Sequence, residues 1–206
     1  AAWKGVRCAE SGKWPDGTDC GKPALGIILR DVEPGTPVNI EPAIRSFAER
    51  GYDLVIGIGF AQAPIIENVA KDYPNTHFAI VDVDQSSLKG KPANVQGLLF
   101  REEQVGYLVG YLGALEAKRA GSDSISAVGG FKEPPVDRFI AGYRAGAEAA
   151  VPGTKVKWDY SQDWEDQAKC KELALNQIAA GSKVVFQVAG GCGLGAISGA
   201  KDKGVW

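Results

Sequence analysis

A chain of 206 residues that is 45% hydrophobic and 23% charged is long enough for one large globular domain or two small ones. Its net charge is −2, with lysines and arginines scattered among the acids, so the basic footprint of a nucleic-acid binder is missing and nucleic acid is discounted as a partner. No apolar run approaches the roughly 20 residues of a membrane span. No signal peptide precedes Ala1 and there is no methionine, so the expectation is a trimmed or unrecorded N-terminus.

In chain order, residues 1–10 are compatible with a helix and residues 24–30 (ALGIILR) read as a strand. Between them Cys8 and Cys20 bracket a polar loop, and a bridge there would contribute about 3 kcal/mol by closing it. Residues 33–42 contain three prolines and read as loop. Ile44, Phe47 and Ala48 fall at helical spacing, Gly51 stops that helix, and residues 52–58 (YDLVIGI) read as a buried strand. The αβ unit repeats: Ile65, Ile66, Val69 and Ala70 make a helix face, and residues 77–83 (HFAIVDV) make the next strand. Residues 94–100 are a further short strand.

The second half starts with a helix whose apolar stripe is Val105, Leu108, Val109, Leu112 and Leu115, behind Glu102 and Glu103 at its N-terminus. Strands at residues 124–128, 155–160 and 183–188 then alternate with helices at 135–150, 166–180 and 194–203. Such alternation implies α/β architecture, with doubly wound parallel sheets and right-handed crossovers. The break near Phe100 suggests two lobes, residues 1–100 and 101–206.

Ligands of such sheets sit beyond the carboxyl ends of the strands. The residues there are Gly59, Phe60, Ala61 and Gln62; Asp82 and Asp84; Gly129, Gly130 and Phe131; residues 161–164; and residues 189–193. Aromatics, glycines, amides and a few acids suit a flat polar molecule. Gly190, Gly191, Gly193 and Gly195 form the most pronounced turn, which leaves backbone N–H groups uncovered and aims a helix N-terminus at whatever sits above it. Cys170 and Cys192 are open to a second bridge, to free thiols or to metal binding. Zinc is disfavoured because neither cysteine pair has C-x-x-C spacing and His77 is the only histidine. Disulfides would place the chain in an oxidising compartment.

No catalytic constellation competes. His77 begins a strand, no second histidine supports a triad, and the adjacent Glu102 and Glu103 diverge on a helix. Residues 191–196 fit G-x-G-x-x-A, but the acid about 20 residues later that a dinucleotide site requires would fall beyond Trp206.

Residues 128–147 (VGGFKEPPVDRFIAGYRAGA), Trp164 with 171–181 (KELALNQIAAG), 184–195 (VVFQVAGGCGLG), 57–82 (GIGFAQAPIIENVAKDYPNTHFAIVD) and 94–115 (NVQGLLFREEQVGYLVGYLGAL) together resemble the basic membrane protein family. These are purine-nucleoside receptor lipoproteins of bacterial ABC importers. The resemblance implies the type I periplasmic-binding-protein fold, with two lobes closing about a hinge on the ligand. It implies no enzyme activity, no cofactor and no metal. The implied partners are a nucleoside and a transporter permease, at the periplasm or cell surface, with any lipid anchor outside this sequence.

Residue by residue, the resemblance implies that Trp164 stacks on the purine, Asp82 supplies a carboxylate, and Gly190 or Gly191 gives a backbone contact. Trp3 is the implied opposing ring, and Phe60 and Gln62 are candidates by position. The cysteines at 170 and 192 stand where the family often has glycine and a small residue, which points to a Cys170–Cys192 bridge. The family's opening strand should precede Ala1 and the strand begun by Val205 and Trp206 should continue, so an excerpt incomplete at both ends is expected. The alternatives are a sugar or autoinducer receptor of the same fold, an NAD-linked enzyme using the turn at residues 191–196, and a regulatory sensor domain.

Overall fold

The structure is a computed structural model and describes residues 2–206; Ala1, where the expected first helix begins, lies outside the described residues. The backbone divides into two compact units, residues 1–100 and 101–206. Both contain parallel strands alternating with helices, as the periodicity implies.

The first unit contains α1 (Ala2–Ser11), α2 (Ile40–Glu49), β1 (Leu54–Gly57), α3 (Ala63–Asp72), β2 (His77–Val81) and β3 (Val95–Leu98). Its sheet runs β1-β2-β3, with Leu54 opposite His77 and Phe78 opposite Val95. Ile44 and Ala48 on α2, and Ile66, Val69 and Ala70 on α3, recur at helical spacing and close over Val55, Phe78, Ile80 and Val95. This core consists of branched and aromatic side chains packed on one another.

Three expectations change here. Residues 24–30 are not a strand. A strand is defined by a neighbour that takes its N–H and C=O groups, whereas here the Leu25 N–H donates to the Ala9 carbonyl (2.8 Å) and the Leu29 N–H to Glu10 Oε1 (3.1 Å). Leu25 and Ile28 are 67% and 76% exposed. β1 is an alternating edge strand, with Val55 and Gly57 buried and Leu54 and Ile56 exposed, rather than a run buried on both faces. Pro37 starts a 3-10 turn and Pro42 sits in the first turn of α2, where its missing N–H costs nothing, so the proline segment is partly helical.

The second unit contains α4 (Glu102–Arg119), β4 (Ser124–Gly129), α5 (Pro134–Ala150), β5 (Lys155–Tyr160), α6 (Gln167–Ala179), β6 (Val185–Val188) and α7 (Gly193–Asp202). The sheet order is β5-β4-β6, and β4 is buried along its whole length. Beside β6, the Val185 N–H donates to the Trp206 carbonyl (2.6 Å) and the Trp206 N–H donates to the Lys183 carbonyl (3.1 Å).

Of the apolar stripe expected on α4 only the half-buried Val109 packs on the core of this unit; Val105, Leu108, Leu112 and Leu115 face outward. Leu108 is 70% exposed and Leu112 61%, while the buried face is Gly106, Gly110, Gly113, Ala114 and Ala117. The reason is the crossing with α5. A Cβ on Gly106 or Gly110 would overlap the carbonyls of Phe139 or Tyr143, and a Cβ on Gly142 or Gly146 of α5 would overlap those of Glu103 or Tyr107. Four glycines let the two backbones touch, and that contact turns the large side chains of α4 outward. Beneath the crossing lies the fully buried Tyr143, whose hydroxyl is pushed above the ordinary phenol range by burial. Glu102 and Glu103 diverge: Glu102 is buried and accepts from Arg138 Nε (2.8 Å), and Glu103 is exposed.

Candidate functional site

Trp164 lies on the loop between β5 and α6. The loop is clipped to the end of β4 by two bonds, Ser161 N–H to the Gly129 carbonyl (2.9 Å) and Gln162 N–H to the Gly130 carbonyl (3.0 Å). Gln162 then turns the chain in the left-handed region at φ 55°. Asp163 Oδ1 accepts from the N–H groups of Glu165 and Asp166 (both 2.9 Å), and Asp163 Oδ2 pairs with Lys169 Nζ (2.9 Å). Those backbone donors, aided by Lys169, hold the Asp163 carboxyl well below the ordinary aspartate range. Asp166 caps α6 by accepting from Ala168 N–H (2.9 Å) and Lys169 N–H (3.4 Å).

The half-buried indole lies across Gly130, where any Cβ would overlap the ring, and a Cβ on Gly190 would lie 3.5 Å from its Cε3. Phe131 flanks it, with ring centroids 5.5 Å apart and planes at 45°. The Trp164 carbonyl accepts from Cys192 N–H (2.8 Å), and Cys192 is bonded to Cys170 on α6, with the Cα atoms 5.5 Å apart. The other two cysteines form Cys8–Cys20, also a disulfide. Trp164, Gly190 and Gly191 thus belong to one strand-end cluster. Phe131 and Gly130, which the sequence marked only as lying at a strand end, form the seat.

The glycine turn differs from expectation. The N–H groups of Gly193, Leu194 and Gly195 donate to the carbonyls of Gly190, Gly191 and Cys192, and Cys192 N–H is spent on Trp164. The first turn of α7 is therefore satisfied from within, and Cys192 just before it holds the Trp164 carbonyl. Nearby, Tyr160 donates its hydroxyl to Asp137 Oδ1 (2.5 Å), and Lys132 Nζ stands 3.3 Å from Asp137 Oδ2. Burial, then the Asp137 hydrogen bond and charge, push the Tyr160 pKa up to about 12.

In the first unit Asp82, Phe60 and Gln62 lie at the carboxyl ends of β1 and β2, and Trp3 does not join them. Asp82 follows β2 at φ 69°, an unusual conformation for a residue other than glycine, and its N–H donates to the Leu98 carbonyl (2.9 Å). Phe60 packs on the core of this unit. Gln62 folds back so that its Oε1 would lie 2.9 Å from a Cβ on Gly57. Trp3 lies on α1, 44% exposed, with the Arg7 guanidinium 5.5 Å from its ring centroid. A cavity of about 450 Å³ lined by Arg144, Glu148, Thr154 and Val156 opens toward the amino end of β5, at the opposite end of that strand from Trp164. Among the described residues no cluster of histidine, cysteine and acid side chains is placed to hold a metal ion, and no helix is long and apolar enough to cross a membrane.

Parallel sheets capture ligands at their strand ends; in the second unit those ends carry an aromatic pair and a glycine turn, and in the first a conformationally unusual aspartate. That is the build of an α/β solute-binding protein. More particularly, the chain belongs to the Bmp family, described as ABC transporter substrate-binding protein PnrA-like, which matches residues 22–206. It is 32% identical over 205 residues to a CD4+ T-cell-stimulating antigen of Listeria monocytogenes, covering 98% of this chain and 53% of that protein. It is 35% identical over 156 residues to the ABC transporter nucleoside-binding protein BmpA of Lactococcus lactis, covering 76% of this chain and 42% of that one. The chain thus spans about half the length of the curated relatives it matches. A solved solute-binding protein of an ABC transporter system from Aeropyrum pernix superimposes with a TM-score of 0.73 at 25% identity, over 98% of this chain and 53% of that one. The fold is the type I periplasmic-binding-protein fold.

Proposed function

We propose that this chain is part of an extracytoplasmic receptor that captures a purine nucleoside and passes it to the permease of an ABC importer. The observation that carries the reading is the Trp164 indole, half-buried and seated across Gly130 at the strand ends. A flat heteroaromatic base is the natural partner for such a face, and a buried stack contributes about 0.5–1.5 kcal/mol beyond area burial. A relative named as a nucleoside-binding protein supports the same ligand class. Both disulfides fit an oxidising compartment outside the cytoplasm.

In this reading Asp82 takes ribose hydroxyls, and the backbone at Gly190 and Gly191 lines the base. Phe60 and Gln62 contribute at the strand ends of the first unit, and Trp3 supplies a second ring. The two units act as lobes, and closure on the ligand completes capture. Binding rather than chemistry is the outcome.

The test is a tryptophan-fluorescence titration of the intact protein with inosine, guanosine, adenosine, ribose and NAD. Saturable change with nucleosides and none with ribose is the expected result. A response to ribose alone would move the protein to the sugar receptors, and a response to NAD alone would revive the dinucleotide reading of residues 191–196.

A further inference from the structure

We propose that the Cys170–Cys192 disulfide is a positioning element of the binding site, holding the backbone beneath Trp164 in its ligand-ready form. The inference rests on the reading of Trp164 as the ligand platform, and it concerns residues that do not themselves touch the ligand.

The geometry is a closed circuit. Trp164 and Cys170 are six residues apart, and both are attached to Cys192: Trp164 through its carbonyl, which accepts from Cys192 N–H at 2.8 Å, and Cys170 through the covalent bond. The segment from the indole to the first turns of α6 is therefore fastened at both ends to one residue of the glycine turn. Farther along the two helices Lys171 pairs with Asp202 (2.7 Å) and Ala174 packs in one cluster with Ala196, whereas their starts lie closest at glycine. A Cβ on Gly191 would stand 3.2 Å from the Trp164 carbonyl, and one on Gly195 would overlap the Gln167 carbonyl, so the starts of α6 and α7 meet backbone to backbone. Smooth backbone faces slide more readily than interdigitated side chains, and the disulfide pins them.

Both cysteines are fully buried in a small cluster with Val128, Ala174, Ala189 and Ala196. The bond is thus a permanent brace rather than a surface redox sensor. The left-handed Gln162 at the other end of the loop shows that this segment is held in a conformation it would not choose alone.

The experiment compares the intact oxidised protein with a Cys170→Ala/Cys192→Ala variant by stopped-flow binding of inosine, guanosine and adenosine. Loss of pre-organisation lowers the population of competent platform, so kon should fall about tenfold while koff stays unchanged. Removing the other bridge with Cys8→Ala/Cys20→Ala is the comparison: it should lower stability and leave the exchange of residues 163–166 unchanged, with a smaller fall in kon than the Cys170/Cys192 variant shows. Ligand-free amide exchange supplies a readout independent of ligand identity: residues 163–166 and the Cys192 amide should exchange faster in the double variant, with α5 unchanged. Where that variant does not fold, Cys170→Val/Cys192→Ala, which refills part of the buried volume, replaces it in both readouts. Unchanged kon and unchanged exchange would overturn the proposal. If the oxidised wild type binds no nucleoside, the nucleoside reading fails, and exchange alone decides whether the bridge positions Trp164.

Discussion

The two units solve the same packing problem with different materials. In the first, α2 and α3 cover the sheet with Ile44, Ile66 and Val69 packed on Phe78 and Ile80, and the interface is side chain on side chain. In the second, α4 meets α5 through Gly106, Gly110, Gly142 and Gly146, and α6 meets α7 through Gly195, so the interface is backbone on backbone. Side-chain cores tolerate exchange of one hydrophobe for another at modest cost; backbone contacts tolerate no side chain. The second unit therefore tolerates the least added volume at its helix contacts, and it carries the large indole at its strand ends.

Opposite substitutions should break this contrast symmetrically. Gly110→Ala adds one methyl where there is no room, and Ile66→Ala removes most of a fully buried side chain. The gain in helix propensity from Gly110→Ala offsets about 1 kcal/mol. Each variant should nevertheless lose about 3 kcal/mol, the first through overpacking and the second through a cavity, as read from urea midpoints at constant m. A neutral Gly110→Ala would show that α4 and α5 are not held at backbone contact.

A smaller effect is expected at the seat itself. Gly130→Ala places a methyl in the indole, so Trp164 must lift from its position. Nucleoside affinity should drop about tenfold, which is about 1.4 kcal/mol, with little change in melting temperature. Calorimetric titration alongside a thermal melt separates the two quantities.

The smallest effect is acid sensitivity of the loop. The Asp163 pKa is lowered in the fold, so its contribution is present above the ordinary aspartate value of 3.8 and is lost as pH falls through the folded value. Acidification below 3.8 should loosen residues 161–166, seen as easier quenching of Trp164. Asp163→Asn should give at neutral pH part of what acid gives the wild type. Equal quenching at neutral and acid pH would remove Asp163 from the account.

The order of strands and helices was legible because hydrophobic period switches cleanly between strand and helix along most of the chain. It misled where an element depends on partners rather than on its own residues. Residues 24–30 have the composition of a strand but bond to α1 instead, so apolar content alone could not make them one. On α4 the period of large residues drew attention to Leu108 and Leu112, while the packing signal was the four-residue spacing of Gly106 and Gly110, repeated in Gly142 and Gly146. At the site, Trp164 stood out through position and family resemblance. The seat offered by Gly130 and the flank of Phe131 emerged only when β4 and β5 were paired, because sequence adjacency says nothing about which strand ends lie side by side.

In the proposed receptor Trp164 is a face for a base. The most direct measurement is isothermal titration of inosine and of ribose into the intact wild-type protein and into Trp164→Ala. Inosine but not ribose should bind the wild type, and Trp164→Ala should bind inosine at least about tenfold more weakly at unchanged fold. Equal inosine affinity in the two proteins would contradict it, leaving Trp164 as packing for β4 and the glycine turn and placing ligand recognition elsewhere.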